Sequence, residues 1–246
     1  MRLALVSDIH GNLAALEAVA ADIRRHHVDA VLNLGDNLSG PLLPKETAQF
    51  LMASGWLSLA GNHERQVLDW NPDSGGSPSD GYAREQLTES ELNWLRTLRP
   101  VQSFSADILL CHATPHSDCT YLLESIAHGI FRVSTTEEIQ QHLGDVTSRL
   151  IACGHSHVPR VVRLPGGQTI VNPGSVGLQA FSGNWPAEHQ TAMGSPDARY
   201  AIVEGQGDDW LVSHHAVPYD HRSMAKLAEQ RGRPDWAVAL ATGYAA

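Results

Sequence analysis

The sequence predicts an α/β protein, and three observations support this fold class. Short apolar runs alternate with amphipathic helical patterns in the first part of the chain, at the spacing of βαβ units that build a parallel sheet. Apolar residues make up 42% and charged residues 18% of the 246 residues, which is typical of a folded chain and excludes a disordered one. No linker composition interrupts the sequence, so we expect one domain over residues 1–246.

The first three strands are expected at residues 3–7, 30–34 and 56–60, where the apolar runs are short. After the first strand, Asn12 is a candidate cap for a helix that carries Leu16 and Ile23 on one apolar face. A second helix is predicted at residues 45–54, directly after Pro44. This order of strands and helices predicts parallel pairing in the first half.

The second half of the chain has a different pattern. Glycine, proline, serine and aspartate dominate residues 69–81, which predicts a loop. Beyond it we expect a helix at 89–98 and buried strands at 108–111 and 150–153. An antiparallel pair is expected at 161–164 and 169–171, around the turn 165–168. A second pair is expected at 200–203 and 210–217, followed by a helical tail from about 221. The sequence therefore predicts a second half that is antiparallel.

The charge of the chain narrows the classes of partner. The chain has 17 Lys and Arg residues and 27 Asp and Glu residues, which gives a net charge of −10 with histidine neutral. Such a chain has no diffuse positive field to hold a nucleic-acid backbone or an anionic membrane. The first apolar run is too short for a signal peptide, and no stretch approaches the roughly 18 apolar residues that span a bilayer. We expect a soluble cytoplasmic protein without a membrane partner, and no particular oligomeric state is indicated.

Cysteine and histidine usage points toward a metal site. The three cysteines, Cys111, Cys119 and Cys153, are odd in number and form no CxxC pair, so neither a disulfide framework nor a zinc ribbon is indicated. Cys111 and Cys153 end apolar strands and are expected to be small buried residues. The 14 histidines are many beside 17 Lys plus Arg, and histidine is the commonest metal ligand.

Polar side chains follow five of the predicted strands at the point where each strand ends. Ligands gather at the carboxyl ends of strands in open α/β sheets, so these side chains should meet in one crevice. The candidate donors are Asp8, His10, Asp36, Asn62, His112, His155 and His157. Seven protein ligands with one shared carboxylate suit two ions, and imidazole with carboxylate but no thiolate favours Mn, Fe, Zn or Co.

The order of these blocks resembles a known family. Asp8-x-His10, Gly35-Asp36, Gly61-Asn62-His63-Glu64, His112 and Gly154-His155-x-His157 resemble the calcineurin-like metallophosphoesterase superfamily. The segment Asn172–Gly177 is similar to the small bacterial YfcE-like or MJ0936-like branch. The resemblance implies a four-layer αββα sandwich with two mixed β-sheets. It also implies hydrolysis of phosphoesters by in-line attack of a hydroxide that bridges two metal ions.

The resemblance also implies roles for single residues. Asp8, His10 and His157 would bind the first ion; Asn62, His112 and His155 would bind the second; and Asp36 would bridge both. His63 would protonate or stabilise the leaving oxygen, and Asn62 would help to orient the phosphate. A passive structural role for His63 is the alternative. Two divalent ions are implied, with Mn first and Fe, Zn, Co or Ni as alternatives.

The substrate is narrowed only to a class. We expect the substrate to be a small phosphoester, foremost a phosphodiester, and nucleotide-like compounds belong to this class. A phosphomonoesterase and a nuclease on DNA or RNA remain as alternative functions, and a non-catalytic scaffold is the weakest alternative. The run after Gly35-Asp36 lacks the Asp-Arg-Gly of protein Ser/Thr phosphatases and symmetrical diadenosine tetraphosphate hydrolases, which argues against those activities. The loop at 69–81 is predicted to overhang the crevice, with a plain surface insertion as its alternative.

Several further residues have simpler expected roles. His26 and His27 are expected to close a helix, His214 and His215 lie in a late strand, and the histidines at 128, 142 and 189 have no spacing that suggests a metal. All of them are interpreted as structural or solvated. His116 is left open, because it is close enough in sequence to His112 to line the pocket. Gly174–Ser175 could form either a plain turn or a backbone anion site near the metals.

Overall fold

The computed structural model describes residues 1–127, 130–207 and 209–246, and its strands and helices alternate regularly only in the first part, up to Leu68. The strands are β1 Arg2–Val6, β2 Ala30–Asn33, β3 Leu57–Ser58, β4 Val101–Ser105, β5 Ile108–Cys111, β6 Glu124–Ala127, β7 Ile130–Val133, β8 Leu150–Ala152, β9 Arg160–Arg163, β10 Thr169–Asn172, β11 Ala180–Gly183, β12 His189–Ala192, β13 Ala198–Gln206 and β14 Asp209–Val217. The helices are α1 Leu13–Ile23, α2 Pro44–Ser54, α3 Asn62–Leu68, α4 Pro78–Gln86, α5 Glu89–Thr97, α6 Thr136–Leu143, α7 His221–Gln230 and α8 Pro234–Thr242, with 3₁₀ turns at Arg24–His26 and Pro72–Ser74.

Two five-stranded mixed sheets form the centre of the fold. The first has the order β14-β13-β1-β2-β3, in which β1, β2 and β3 are parallel and β13 and β14 are antiparallel additions. The second has the order β4-β5-β8-β10-β9, in which β5, β8 and β10 are parallel and the two edge strands are antiparallel. The predicted fold class is confirmed: the sheets are mixed and lie between helices.

The layers follow from which apolar faces meet. Leu3, Leu5 and Leu32 of the first sheet belong to one buried apolar cluster with Ile108 and Leu110 of the second, so the two sheets bury one face against each other. The outer face of the first sheet packs against α1 and α2, and the outer face of the second packs against α6. The arrangement is therefore the αββα sandwich, held mainly by burial of apolar side chains between layers.

Two of the expectations about the second half are wrong. The strands β5, β8 and β10 pair in parallel rather than antiparallel, because the long connection that contains α6 crosses from β5 to β8 and the connection that contains β9 crosses from β8 to β10. Residues 69–81 are not a loop throughout. Pro72–Ser74 form a 3₁₀ turn, and α4 begins at Pro78, where Ser77 caps the helix and proline occupies its first turn.

Other elements agree with the prediction to within a few residues. The hairpin of β9 and β10 and the pair of β13 and β14 are antiparallel as expected, and the tail after Asp220 forms α7 and α8. The third strand is shorter than expected, only Leu57–Ser58. The strand β4, the hairpins β6–β7 and β11–β12 and the helix α6 were not predicted. Among the described residues, no helix is both long and apolar enough to cross a membrane.

Candidate metal centre

The loops that follow β1, β2, β3, β5 and β8 meet at one end of the two sheets. Backbone hydrogen bonds hold neighbouring loops together: the Asp8 amide donates to the Gly35 carbonyl at 2.9 Å, and the His10 amide donates to the Asp36 carbonyl at 3.0 Å. Within the second sheet, the Gly154 amide donates to the His112 carbonyl at 2.7 Å, and between the two sheets the His155 amide donates to the Asp8 carboxylate at 3.2 Å. The polar side chains at these positions therefore face one crevice on a rigid frame.

The backbone at the candidate ligands is unusual. Of the six non-glycine residues with positive φ in the described chain, five are Asp8, His10, Asp36, His155 and His157, with φ between 53° and 68°. This left-handed conformation costs a non-glycine residue of the order of 1–3 kcal/mol, and it persists where surrounding structure imposes it, frequently at functional sites. It turns each side chain from its strand end toward the crevice.

The first group of donors consists of Asp8, His10 and His157, all of them buried. The Nε2 atoms of His10 and His157 lie 3.1 Å apart, and His157 Nε2 lies 3.5 Å from Asp8 Oδ1. Two ligands of one first-row metal ion are about 3.0–3.5 Å apart when each bond is about 2.0–2.2 Å long. These separations are therefore those of atoms that share one ion.

The second group consists of Asp36, His112 and His155, with Asn62 beside them. His112 Nε2 lies 3.1 Å from Asp36 Oδ2 and 3.2 Å from Asn62 Oδ1. The imidazole rings of His112 and His155 have centroids 5.1 Å apart. The structure thus brings all seven predicted ligand residues to one crevice as two adjacent sets.

The four histidines of the two sets are oriented by backbone carbonyls. His10 Nδ1, His112 Nδ1 and His157 Nδ1 donate to carbonyl oxygens at 2.8, 2.9 and 2.7 Å, supplied by Ser39, Leu34 and Leu178 respectively. His155 has the reverse orientation, since its Nε2 donates to the Cys119 carbonyl at 2.9 Å. A carbonyl only accepts, so each ring places a proton there, and in the neutral form that binds a metal its other nitrogen carries the lone pair.

In that orientation, two hydrogen-bond acceptors, the Nε2 atoms of neutral His10 and His157, lie next to each other. The two Nε2 atoms of His10 and His157 both carry lone pairs at 3.1 Å, so neither can donate to the other while the carbonyl bonds are kept. A cation between them removes this conflict and satisfies both atoms. The residues present therefore fit divalent metal ions, and the mixed nitrogen and oxygen donors suit Mn, Fe, Zn or Co.

The charges of the site follow from burial and from its neighbours. Burial, with a contribution from neighbouring His157, lowers the pKa of His10 to about 4. Burial, with a contribution from His112, lowers the pKa of His155 to about 4. Burial opposes ionisation of Asp36, but the facing His112 and His63 hold the pKa of its carboxyl well below its usual value. Burial opposes the charged form of His112, but Asp36 raises the pKa of this ring to about 10, so metal binding would displace its proton. Neutral imidazoles and an ionised carboxylate are the forms that bind metals.

Glu64 holds the loops after β2 and β3 together. Its buried carboxylate accepts hydrogen bonds from the amides of Asp36 at 2.9 Å, Asn37 at 2.8 Å and Gly61 at 2.6 Å. Gly61 has to be glycine because a Cβ there would collide with the Asp36 carboxylate. The sequence motif included Glu64 but gave it no role; its position three residues after Gly61, at a helix start, was the available signal.

His63 lies at the edge of the metal-ligand sets and has a carboxylate partner. Its Nδ1 lies 2.7 Å from Oδ1 of buried Asp80, and its ring is edge-on to that of His10 at 5.4 Å. Burial disfavours the charged ring, but Asp36 and Asp80 raise the pKa of His63 to about 9. Sequence reasoning missed Asp80, because it lies in the segment interpreted as a loop and belongs to no recognised block.

A cavity of about 270 Å³ adjoins the candidate ligands. Its opposite wall comes from β11 and from α8: Phe181 packs on the His157 ring at 4.7 Å, and Trp236 packs on the His10 ring at 5.9 Å. Arg233 lines the same cavity and donates to Ser79 Oγ at 2.7 Å. Sequence reasoning also missed Arg233 and Trp236, since a lone arginine and tryptophan in a helical tail carry no motif.

The remaining candidate residues lie around this centre in different ways. His116 is exposed and is not among the residues that line the cavity. Ser175 Oγ donates to the Asp8 carbonyl at 2.8 Å and Gly174 has φ +80°, so this segment supports the Asp8 loop as a turn. Cys111 and Cys153 are buried as expected. Of the other histidines, His128 lies outside the described residues.

The predicted loop reaches the cavity only in its last part. Ser77 and Ser79 line the cavity, and Asp80 contacts His63. The overhang predicted for residues 69–81 is thus supplied by the start of α4, not by a flexible loop.

Comparison with known proteins decides the family. The model of the calcineurin-like phosphoesterase superfamily domain matches residues 1–187. The chain belongs to this superfamily. The superfamily uses divalent metal ions, and this membership supports hydrolysis of phosphoesters. The cavity wall that includes Arg233 and Trp236 lies beyond the matched residues.

Three individual proteins illustrate the similarity. The uncharacterized protein MJ0912 of Methanocaldococcus jannaschii is 25% identical over 257 residues, covering 95% of this chain and 94% of its own. A metallophosphoesterase from Sphaerobacter thermophilus has a similar structure, with a TM-score of 0.76, 24% identity, and coverage of 99% of this chain and 100% of its own. The phosphoesterase YfcE of E. coli also matches, with a TM-score of 0.44 and 17% identity, over 89% of this chain and 100% of its own.

Proposed function

We propose that this protein is a dinuclear metal-dependent hydrolase of small phosphoesters, with phosphodiesters as its preferred class. The observation that carries the proposal is the orientation of four buried or half-buried histidines, each of which donates one ring N–H to a backbone carbonyl. Their free nitrogens join two carboxylates and the Asn62 amide in one crevice. This set of lone pairs and carboxylate oxygens is the one that two divalent ions need as ligands.

Each set of ligands would hold one ion. Asp8, His10 and His157 would hold the first; Asn62, His112 and His155 would hold the second; and Asp36 would be shared. Asp36 suits a shared position because its two oxygens have different neighbours: the backbone amide of His63 donates to Oδ1 at 3.0 Å, and Oδ2 lies 3.1 Å from His112 Nε2. Two bound ions supply Lewis acidity, charge neutralisation and a hydroxide nucleophile near neutral pH.

His63 protonates the leaving oxygen in this proposal. Its Nδ1 is held by Asp80 and its ring lines the cavity, so Nε2 is the nitrogen that remains for the substrate. Asp80 fixes the ring and stabilises its protonated form, as a buried carboxylate does for a catalytic histidine. Asn62 lies at the start of α3 and orients the phosphate through its amide and through the neighbouring backbone N–H groups.

The cavity favours a small substrate. A volume of about 270 Å³ lies just below the common range of about 300–1,000 Å³ for ligand pockets. Arg233 is paired with Asp235 through two nitrogens, at 3.0 and 2.6 Å, so the wall adds little net charge to that of the metals. A monoanionic diester with an apolar or aromatic leaving group suits such a wall. A long polyanion does not, since the chain has a net charge of −10.

A phosphomonoesterase is the second candidate, and Arg233 is the residue that favours it. Its guanidinium lines the cavity, and a monoester dianion could take the place of Asp235 as its partner. The two candidate functions use the same metal centre. They differ only in the charge of the substrate phosphate next to the cavity wall, which is one negative charge for a diester and two for a monoester.

The experiment that tests the proposal compares substrates under matched Mn²⁺ and salt. Bis(4-nitrophenyl) phosphate, 4-nitrophenyl phosphate, single- and double-stranded DNA and RNA are incubated with metal-free protein before and after Mn²⁺ addition. We expect metal-dependent cleavage, fastest for the diester and slow or absent for polymers. Faster cleavage of the monoester would favour the second candidate. Efficient, salt-sensitive cleavage of DNA or RNA would overturn the small-substrate proposal, and no hydrolysis with bound metal would overturn the enzymatic one.

A further inference from the structure

A second cluster of ligand-type side chains lies away from the crevice, at the far end of α1. Asp22 lies in the last turn of α1, His26 lies in the 3₁₀ turn that follows it, and His215 lies on β14, the edge strand of the first sheet. Asp22 is ten positions beyond Asn12, which corresponds to about 15 Å along the helix. This cluster therefore shares no residue with the candidate metal centre.

The three side chains converge in a way that suits one ion. One ligand atom from each lies within 4.8 Å of the other two. Asp22 and His26 are four residues apart in continuous helical backbone, so they occupy the same face. The distance from Asp22 Oδ2 to His26 Nε2 is 3.5 Å, close to the separation of about 3.3 Å for two ligands of one tetrahedral zinc ion.

His215 supplies an independent observation. Its Nε2 atom is buried and has no hydrogen-bond partner in the structure. A buried polar atom without a partner is uncommon and requires an explanation such as a missing ion. The ring of His215 stacks on Tyr200 at 4.7 Å and meets the ring of His26 edge-on at 4.8 Å, so it is held beside the other two ligands.

Hydrogen bonds from neighbouring side chains hold Asp22 and His26 in place. The Tyr200 hydroxyl donates to Asp22 Oδ2 at 2.6 Å, and Arg2 donates to the His26 carbonyl at 3.1 Å. Such outer contacts fix metal ligands in known sites. Arg25 also pairs with Asp22, but its side chain is 73% exposed, so its release into solvent costs little.

We propose that Asp22, His26 and His215 form a third metal site, which binds Zn²⁺ with water as its fourth ligand. Two imidazoles, one carboxylate and an open position are a common zinc ligand set. The bound ion would link the end of α1 to the edge strand β14 and stabilise the packing of this helix on the first sheet. The site is independent of the proposed hydrolysis, because none of its residues lies in the catalytic crevice.

The test counts zinc in variants. Wild type, His26→Ala, His215→Ala and the control His27→Asn are made metal-free and dialysed to equilibrium against buffered Zn²⁺, and bound zinc per chain is measured. His27 is exposed and has positive φ, which asparagine tolerates. We expect one zinc ion fewer in His26→Ala and in His215→Ala than in wild type and His27→Asn, whatever number the catalytic crevice binds.

Two further readouts keep the result decisive. The zinc-induced rise in the unfolding midpoint should be smaller in both alanine variants than in wild type and the control. Mn²⁺-dependent hydrolysis should stay within about twofold of wild type, so a failure of this site and a failure of the proposed function are distinguishable. If His215→Ala does not fold, His26→Ala decides, since His26 is partly exposed. Equal zinc content in all four proteins would overturn the proposal.

Discussion

His63 Nδ1 lies 2.7 Å from Oδ1 of Asp80, a buried carboxylate on α4 that no sequence block contains. The pair joins the histidine beside the metal-ligand sets to a segment 17 residues further along the chain. It fixes which nitrogen of His63 faces the cavity. The role of His63 as a proton donor can therefore be tested separately from metal binding.

Replacing His63 should impair turnover and spare the metals. We expect His63→Ala to keep the metal content of wild type while kcat falls by about 10²–10⁴, the usual contribution of a positioned acid. The loss should be smaller for a 4-nitrophenyl ester than for an alkyl ester, since nitrophenolate leaves with little need for a proton. Equal losses for both esters would argue against proton donation.

Replacing Asp80 should give a weaker form of the same defect. Asp80→Asn keeps a hydrogen-bonding side chain but removes the charge that supports protonated His63. We expect kcat for the alkyl ester to fall by about tenfold or more, with metal content unchanged. Asp69→Asn, at an exposed carboxylate of the preceding segment, is the matched control and should behave as wild type. Identical kinetics for Asp80→Asn and the control would leave Asp80 without a role in the reaction.

Glu64 predicts an effect on stability. Removing its carboxylate leaves three amide donors without a partner in a buried loop pair, each at a cost of about 1–3 kcal/mol. We expect Glu64→Ala to lower the free energy of unfolding by about 3 kcal/mol or more, measured by urea denaturation of metal-free protein. Glu17→Ala, on the exposed face of α1, should change it by less than about 0.5 kcal/mol. A small effect at Glu64 would mean that these hydrogen bonds contribute little.

The sequence predicted the candidate ligands better than their surroundings. The residues at 8, 10, 36, 62, 112, 155 and 157 could be found because parallel strands deliver their carboxyl-terminal loops to one edge, and each loop carries a recognisable block. Asp80, Arg233 and Trp236 reach the same crevice through α4 and α8, and tertiary packing alone brings them there. Their local sequence is that of ordinary amphipathic helices, so no pattern could identify them.

The parallel pairing of β5, β8 and β10 was missed for a related reason. Each of these strands is short and fully buried, and a buried apolar run of four residues has the same pattern in parallel and antiparallel sheets. The intervening α6 is only eight residues long and was not predicted. The relative directions of the strands in this sheet are thus set by the connections between them, which the apolar pattern of each strand does not reveal.

The cavity wall predicts a change of substrate preference. Arg233→Gln removes the cation and keeps a side chain that can still donate to Ser79. If Arg233 pairs with the second negative charge of a monoester, the ratio of kcat/KM for the monoester to kcat/KM for the diester should be lower in Arg233→Gln than in wild type by at least about fivefold. Arg222→Gln, on the outer surface of α7, is the control. An unchanged ratio would exclude Arg233 from substrate selection.

The central claim is a pair of metal ions that share Asp36, and its most direct test is the metal content of wild type and Asp36→Asn. Each protein is saturated with Mn²⁺, dialysed against metal-free buffer and analysed by mass spectrometry of the metal. We expect two ions per chain in wild type and fewer than one in Asp36→Asn, because loss of the shared carboxylate weakens both sites. A single ion in wild type, or two tightly held ions and normal turnover in the variant, would contradict the dinuclear assignment.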